Sequence, residues 1–291
     1  MRSDLGKSLL DVFLSLGATS GKTIFIQAGL VQFIEAARKI QSKYLPKLII
    51  DCLLCAIGDQ GTIVMPSFTT NCARKGLPFD LKHTPSDAGS LVEYLRKQPR
   101  SCRSLHPVNS VVAFGRLAHA FTEEVSLGSY SWDSPFDRMT LEDTVVICMG
   151  MPSNLSNSFS HYAETKASLP YVYNKILDYI PVSIDGNPVF KDFYMTVRYL
   201  DYDVSPDRSK HDHLMRQSGL MRFAKWCGGL FYAISLADYL NILKPQLKKD
   251  PYFLLSHPPV FRGNERPSDG CTYHEVSINK IGDKGINHER I

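Results

Sequence analysis

The run Thr144-Val145-Val146-Ile147-Cys148-Met149-Gly150-Met151 constrains the fold more than any other stretch of this chain. It is apolar on both faces and closed by a glycine, which predicts a central strand covered by helices on either side. Two further buried runs precede it, Thr23-Ile24-Phe25-Ile26-Gln27 and Thr62-Ile63-Val64-Met65-Pro66. Between those two lie residues 32–39 and 47–57, which have helical spacing, and the turn signal Gly58-Asp59-Gln60-Gly61. This strand–helix–strand rhythm predicts an α/β fold: a three-layer αβα sandwich around a largely parallel or mixed central sheet.

Residues 4–18, 89–97 and 117–124 also read as helices, 111–114 as a strand, and 67–84 as one long loop. From Lys175 the character changes. Short mixed segments rich in aromatics, with a turn at Asp185-Gly186-Asn187-Pro188, predict antiparallel hairpins appended to the sheet over residues 175–210. Helices are expected to return over 212–223 and 236–247. Residues 1–258 are expected to form one domain, followed by a polar tail over 259–291.

Composition narrows the function classes. With 291 residues, 44% of them hydrophobic, the chain can bury a large core. It has no apolar run long enough for a membrane span, and its first helix is interrupted by Asp11 and Ser15, so a cytoplasmic protein is expected. The net charge of +4 comes from dispersed residues, which argues against nucleic-acid binding. Seven cysteines, an odd number in apolar company, read as reduced thiols. Cys52-Leu53-Leu54-Cys55 has the spacing of a redox or zinc motif. It lies in an apolar helical run with no second pair, so it reads as core and no metal is expected.

Three segments could carry chemistry. Asn157-Ser158-Phe159-Ser160-His161-Tyr162-Ala163-Glu164 places a histidine and a carboxylate three residues apart, just past the central strand. An imidazole moves protons near neutral pH, and a carboxylate one helical turn away orients it. The same spacing also suits a histidine held by local hydrogen bonds. Arg103-Ser104-Leu105-His106-Pro107-Val108-Asn109-Ser110 offers hydroxyls and backbone amides to an oxyanion or phosphate, or else is an ordinary loop with a rigid turn. In Trp132-Asp133-Ser134-Pro135-Phe136, a helix is expected to start, with Ser134 as its N-cap.

Taken in order, Thr62 to Thr69, Gly89-x-Leu91 with Arg96, Arg103-Ser104-x-His106-Pro107-x-x-Ser110, Ser134-Pro135-Phe136 and His161-Tyr162-Ala163-Glu164 resemble the aminoglycoside 3-N-acetyltransferase family, the antibiotic N-acetyltransferase fold. The resemblance implies acetyl-CoA as co-substrate, a primary amine on a sugar as acceptor, and direct transfer with no acyl-enzyme. It implies His161 as general base, Glu164 as its carboxylate, and Asp201 or Asp203 as support. Ser104, His106, Ser110, Ser134 and Phe136 fall where the family lines its CoA channel. Where the family has a polar H-S-S-L segment, this chain has Gln27-Ala28-Gly29-Leu30, with Gly29 free to bring backbone close to a ligand. The partner implied is an amino sugar, with nucleotide-linked ones among the candidates. An aminoglycoside acceptor, with antibiotic resistance as the outcome, is the alternative. A member that binds sugar without acyl-CoA turnover is a third reading. A homodimer is a further expectation.

Overall fold

The computed structural model describes residues 2–151 and 158–261. Asn157 and all but the first three residues of the expected tail lie outside them. The chain opens with helix α1 (Arg2–Ser15), strand β1 (Thr23–Ala28), a 3-10 turn, helix α2 (Ile34–Ile40) and helix α3 (Leu45–Ile57). Strand β2 (Thr62–Pro66), helix α4 (Thr70–Lys75), strand β3 (Phe79–Asp80), helix α5 (Ser90–Arg96) and strands β4 (Cys102–Arg103) and β5 (Val111–Gly115) follow. Helices α6 (Ala118–Thr122) and α7 (Pro135–Met139) lead to strand β6 (Thr144–Met149) and helix α8 (Phe159–Lys166). Four strands come next, β7 (Val172–Ile176), β8 (Val182–Ile184), β9 (Asn187–Pro188) and β10 (Tyr194–Arg198). Helix α9 (Ser209–Gln217), strands β11 (Arg222–Trp226) and β12 (Gly229–Ser235) and helix α10 (Leu236–Lys249) complete it.

Seven strands form one sheet in the order β11-β12-β6-β1-β2-β5-β4. Only β6, β1 and β2 run parallel to one another, and the outer strands pair antiparallel, so the sheet is mixed. Side-chain alternation along the parallel strands sets the layers. Ile24, Ile26, Ile63, Met65, Val145 and Ile147 enter one core with α1, α2, α3 and α5. Phe25, Val64 and Val146 enter a second core with α6, α7, α8 and α10. The αβα sandwich is therefore the observed architecture. Phe25 meets Phe159 of α8 at 5.1 Å and Phe136 of α7 at 5.8 Å, both edge-on, which fixes α8 over the sheet.

The predicted loop over 67–84 contains α4, ended by Gly76 at φ +62°, and β3. The predicted helix over 212–223 stops at Gln217, and its last residues begin β11. The β11–β12 pair was not anticipated. Cys227 and Gly228 both have positive φ, the geometry of a tight hairpin turn matched to strand twist. The expected appended antiparallel region is present over β7 to β10. β7 pairs with β10, and β8 with β9 and β3, in two small sheets that are not hydrogen-bonded to the main one. They stand on their own cluster, including Phe79, Val108, Leu177 and Phe193.

Candidate active site

β1 and β6 end side by side at Ala28 and Met149. The Gly29 amide donates to Met149 O at 2.8 Å. A Cβ on Gly29 would lie 2.9 Å from Gly150 O, and one on Gly150 would crowd Gly29 O more closely. Gly29 thus brings its backbone against Gly150, at φ +64°, and a side chain at either position would part the two strand ends. Gln27 keeps a place in the site. Its side-chain oxygen accepts the Ser158 amide at 3.1 Å, tying the strand end to the start of α8.

α8 turns His161 and Glu164 to the same side. His161 Nδ1 lies 3.0 Å from Glu164 Oε2. The Glu164 side chain is 2% exposed, and both its oxygens accept from Arg198 Nη2 at 2.7 Å. Tyr171 donates to Glu164 Oε1 at 3.2 Å. Arg208 Nη2 stands 3.4 Å from His161 Nε2. A carboxylate can only accept and a guanidinium can only donate, so the surroundings place the proton on Nδ1 and leave the lone pair on Nε2. Tyr130 stacks on the imidazole, with centroids 5.7 Å apart.

Burial is the largest influence on His161 and favours the neutral ring. Glu164 pulls the other way but does not outweigh burial together with Arg198 and Arg208, so the pKa falls below the ordinary imidazole value. Burial also opposes ionisation of Glu164, yet His161 and Arg198 hold its carboxyl well below the usual range. A neutral base beside a fixed carboxylate is the state that proton abstraction needs.

His161 lines two cavities. One, of about 290 Å³, is lined by Gln27, Phe68, Asn109, Tyr130 and Arg208 among others. The other, of about 620 Å³, is lined by Arg74, Tyr173, Lys175, Arg198 and Tyr199 among others. His161, Met195 and Thr196 wall both.

The structure does not bring the other expected residues to these cavities. His106 is buried. Its Nδ1 accepts the Val108 and Asn109 amides at 3.1 and 2.9 Å, and its Nε2 donates to Tyr194 O at 3.1 Å. Burial lowers its pKa to about 4, against the Tyr194 contact. Ser104 Oγ accepts the Val111 amide at 2.9 Å. Ser110 Oγ donates to Ser67 O at 2.7 Å and accepts from Arg103 Nε. Ser134 caps α7 as expected, and Phe136 is wholly buried in the second core. Ala28 is part-buried at the strand end. Asp201 is exposed, and Asp203 pairs with His257 at 2.9 Å, so neither supports His161. That place belongs to Glu164 with Arg198. Arg198 and Arg208 were the residues missed. The signal was the acid itself, because a buried carboxylate needs a cation.

A family model described as aminoglycoside 3-N-acetyltransferase matches residues 38–248. Aminoglycoside N(3)-acetyltransferase IV of a Salmonella species is 26% identical over 257 residues, 86% of this chain and 90% of that relative. An SPbeta prophage-derived aminoglycoside N(3')-acetyltransferase-like protein of Bacillus subtilis is 24% identical, over 64% of this chain and 73% of its own. Among solved structures, the apoenzyme of aminoglycoside acetyltransferase AAC(3)-IVa superposes with a TM-score of 0.68 at 24% identity, covering 87% of this chain and 92% of that one. A binary complex of AAC-IIIb with CoASH gives 0.69 at 20% identity, covering 87% and 98%. These structures share the fold of this chain.

Proposed function

The chain belongs to the aminoglycoside 3-N-acetyltransferase family, and we propose that it transfers an acetyl group from acetyl-CoA to a primary amine on an amino-sugar ring, with His161 as the base. The observation that carries this reading is the pairing of His161 Nδ1 with buried Glu164, on a ring that lines two cavities and whose Nε2 has Arg208 at 3.4 Å as its neighbour. One cavity for each substrate is what direct transfer requires, and holding amine and thioester together supplies most of the rate.

The chemistry balances without a covalent enzyme intermediate. The amine lone pair attacks the thioester carbonyl carbon, and Nε2 takes the proton that the nitrogen loses. The carbonyl electrons pass to oxygen and return as the carbon–sulfur bond breaks. The thiolate leaves and is protonated to CoA thiol. Glu164 stabilises the imidazolium formed on the way, and Arg198 keeps Glu164 ionised.

The narrower cavity suits the thioester arm. Phe68, Tyr130 and Met195 give it apolar walls, and Asn109 Oδ1 is buried there without a hydrogen-bond partner. That atom would accept an amide N–H of the pantetheine arm.

The relatives are named for aminoglycosides, and a solved neighbour carries sisomicin, so these antibiotics are the reference acceptors, with resistance as the outcome. The test is thiol release from acetyl-CoA against aminoglycosides, amino sugars and nucleotide-linked amino sugars. Release with at least one of them, lost in His161→Ala, is expected. No release with any acceptor, or full turnover by His161→Ala, overturns the reading.

A further inference from the structure

The walls around His161 carry an excess of positive charge. In the larger cavity Glu164 is the one carboxylate among the described lining residues, and Arg198 already neutralises it. Arg74 and Lys175 line the same cavity, and Arg208 faces His161 Nε2 from the smaller one. None of these three has a carboxylate partner within salt-bridge distance among the described residues. The Nε atoms of both Arg198 and Arg208 are buried without a hydrogen-bond partner. A group that brings negative charge is the ligand such a wall accommodates, and a polycation is the ligand it opposes.

We infer that the acceptor is an amino sugar carrying a phosphate close to the ring that bears its amine. This rests on the acetyl-transfer reading above. The phosphates of acetyl-CoA are separated from its thioester by the whole pantetheine arm. On a phosphorylated or nucleotide-linked amino sugar, phosphate and amine lie within a ring or two of each other. A cavity of about 620 Å³ that holds both the base and the cations matches the shorter spacing. Tyr173 and Tyr199, tilted against each other with centroids 4.7 Å apart on its wall, add an aromatic face for a sugar or a base.

The test is steady-state thiol release from acetyl-CoA with four acceptors: glucosamine, glucosamine phosphate, a nucleotide-linked amino sugar and gentamicin. The phosphate-bearing acceptors are expected to give the highest kcat/KM, and the order between them tells a sugar phosphate from a nucleotide. Arg74→Ala and Lys175→Ala, both at exposed positions, are expected to raise the KM for the phosphorylated acceptor about tenfold each. The KM for glucosamine should rise far less. Gentamicin as the best acceptor overturns the inference while leaving the acetyl-transfer reading intact. So does a rise in the KM for acetyl-CoA in place of the acceptor's, which would assign the cations to CoA phosphates. No release with any of the four overturns both.

Discussion

His106 and His161 lie in two of the chain's motifs, the first buried and the second part-exposed, and their ring nitrogens are engaged in opposite ways. Both ring nitrogens of His106 are consumed by backbone groups, two amides on one side and a carbonyl on the other. His161 has one nitrogen held by Glu164, and the other meets only a guanidinium at 3.4 Å on a cavity wall. The first ring closes a loop and ties it to β10. The second is held in one tautomer, with its Nε2 lone pair turned to a long contact with Arg208 on a cavity wall. What sets the two imidazoles apart is therefore the second nitrogen, together with the exposure of the His161 ring, and not the motif.

The sharpest way to break this contrast is to remove each ring in turn. His161→Ala is expected to lower kcat about a thousandfold with little change in melting temperature, measured by thiol release and thermal unfolding. His106→Ala should do the reverse. It strands the Val108 and Asn109 amides and opens a cavity, costing about 3 kcal/mol in denaturant unfolding, while the folded fraction keeps its kcat. If both variants fail in the same way, the contrast is wrong.

The pH profile sharpens it further. In the proposed mechanism His161 acts as a base when neutral, so activity is full above its folded pKa and falls as pH drops through it. Because that pKa lies below the ordinary 6.5, the acid limb of kcat/KM should have its midpoint below 6.5. Glu164 raises this pKa, so Glu164→Gln should move the midpoint lower still and reduce kcat about tenfold. A midpoint that rises would show that the carboxylate does not face the reacting ring. The smallest effect is expected at Asp203, whose exposed pair with His257 lies away from the base. Asp203→Asn should leave kcat and its pH midpoint unchanged.

Sequence alone resolved these regions unevenly. β1, β2 and β6 were legible because strands buried on both faces are unbroken apolar runs. The hairpin β11–β12 was not, because Arg222, Phe223 and Lys225 are exposed and their pattern merges with the preceding helix. His161 with Glu164 was legible because one helical turn joins them. Arg198 and Arg208 come from a strand end and a loop more than thirty residues downstream, and only the packing of β10 and α9 delivers them to α8. The serines of the Arg103–Ser110 loop were legible as a motif, but their bonds to Val111 and Ser67 depend on how the loop packs against β2 and β5.

Met195 and Thr196 wall both cavities. On the proposed assignment of one cavity to each substrate, donor and acceptor share a wall one strand thick, and these two residues border both. During divergence, a change at either position that admits a new acceptor also reshapes the seat of the thioester. Acceptor range and donor fit cannot drift independently at this border. New specificities should accumulate on the far wall, around β7 and the tyrosines, where a lineage can experiment without disturbing acetyl delivery.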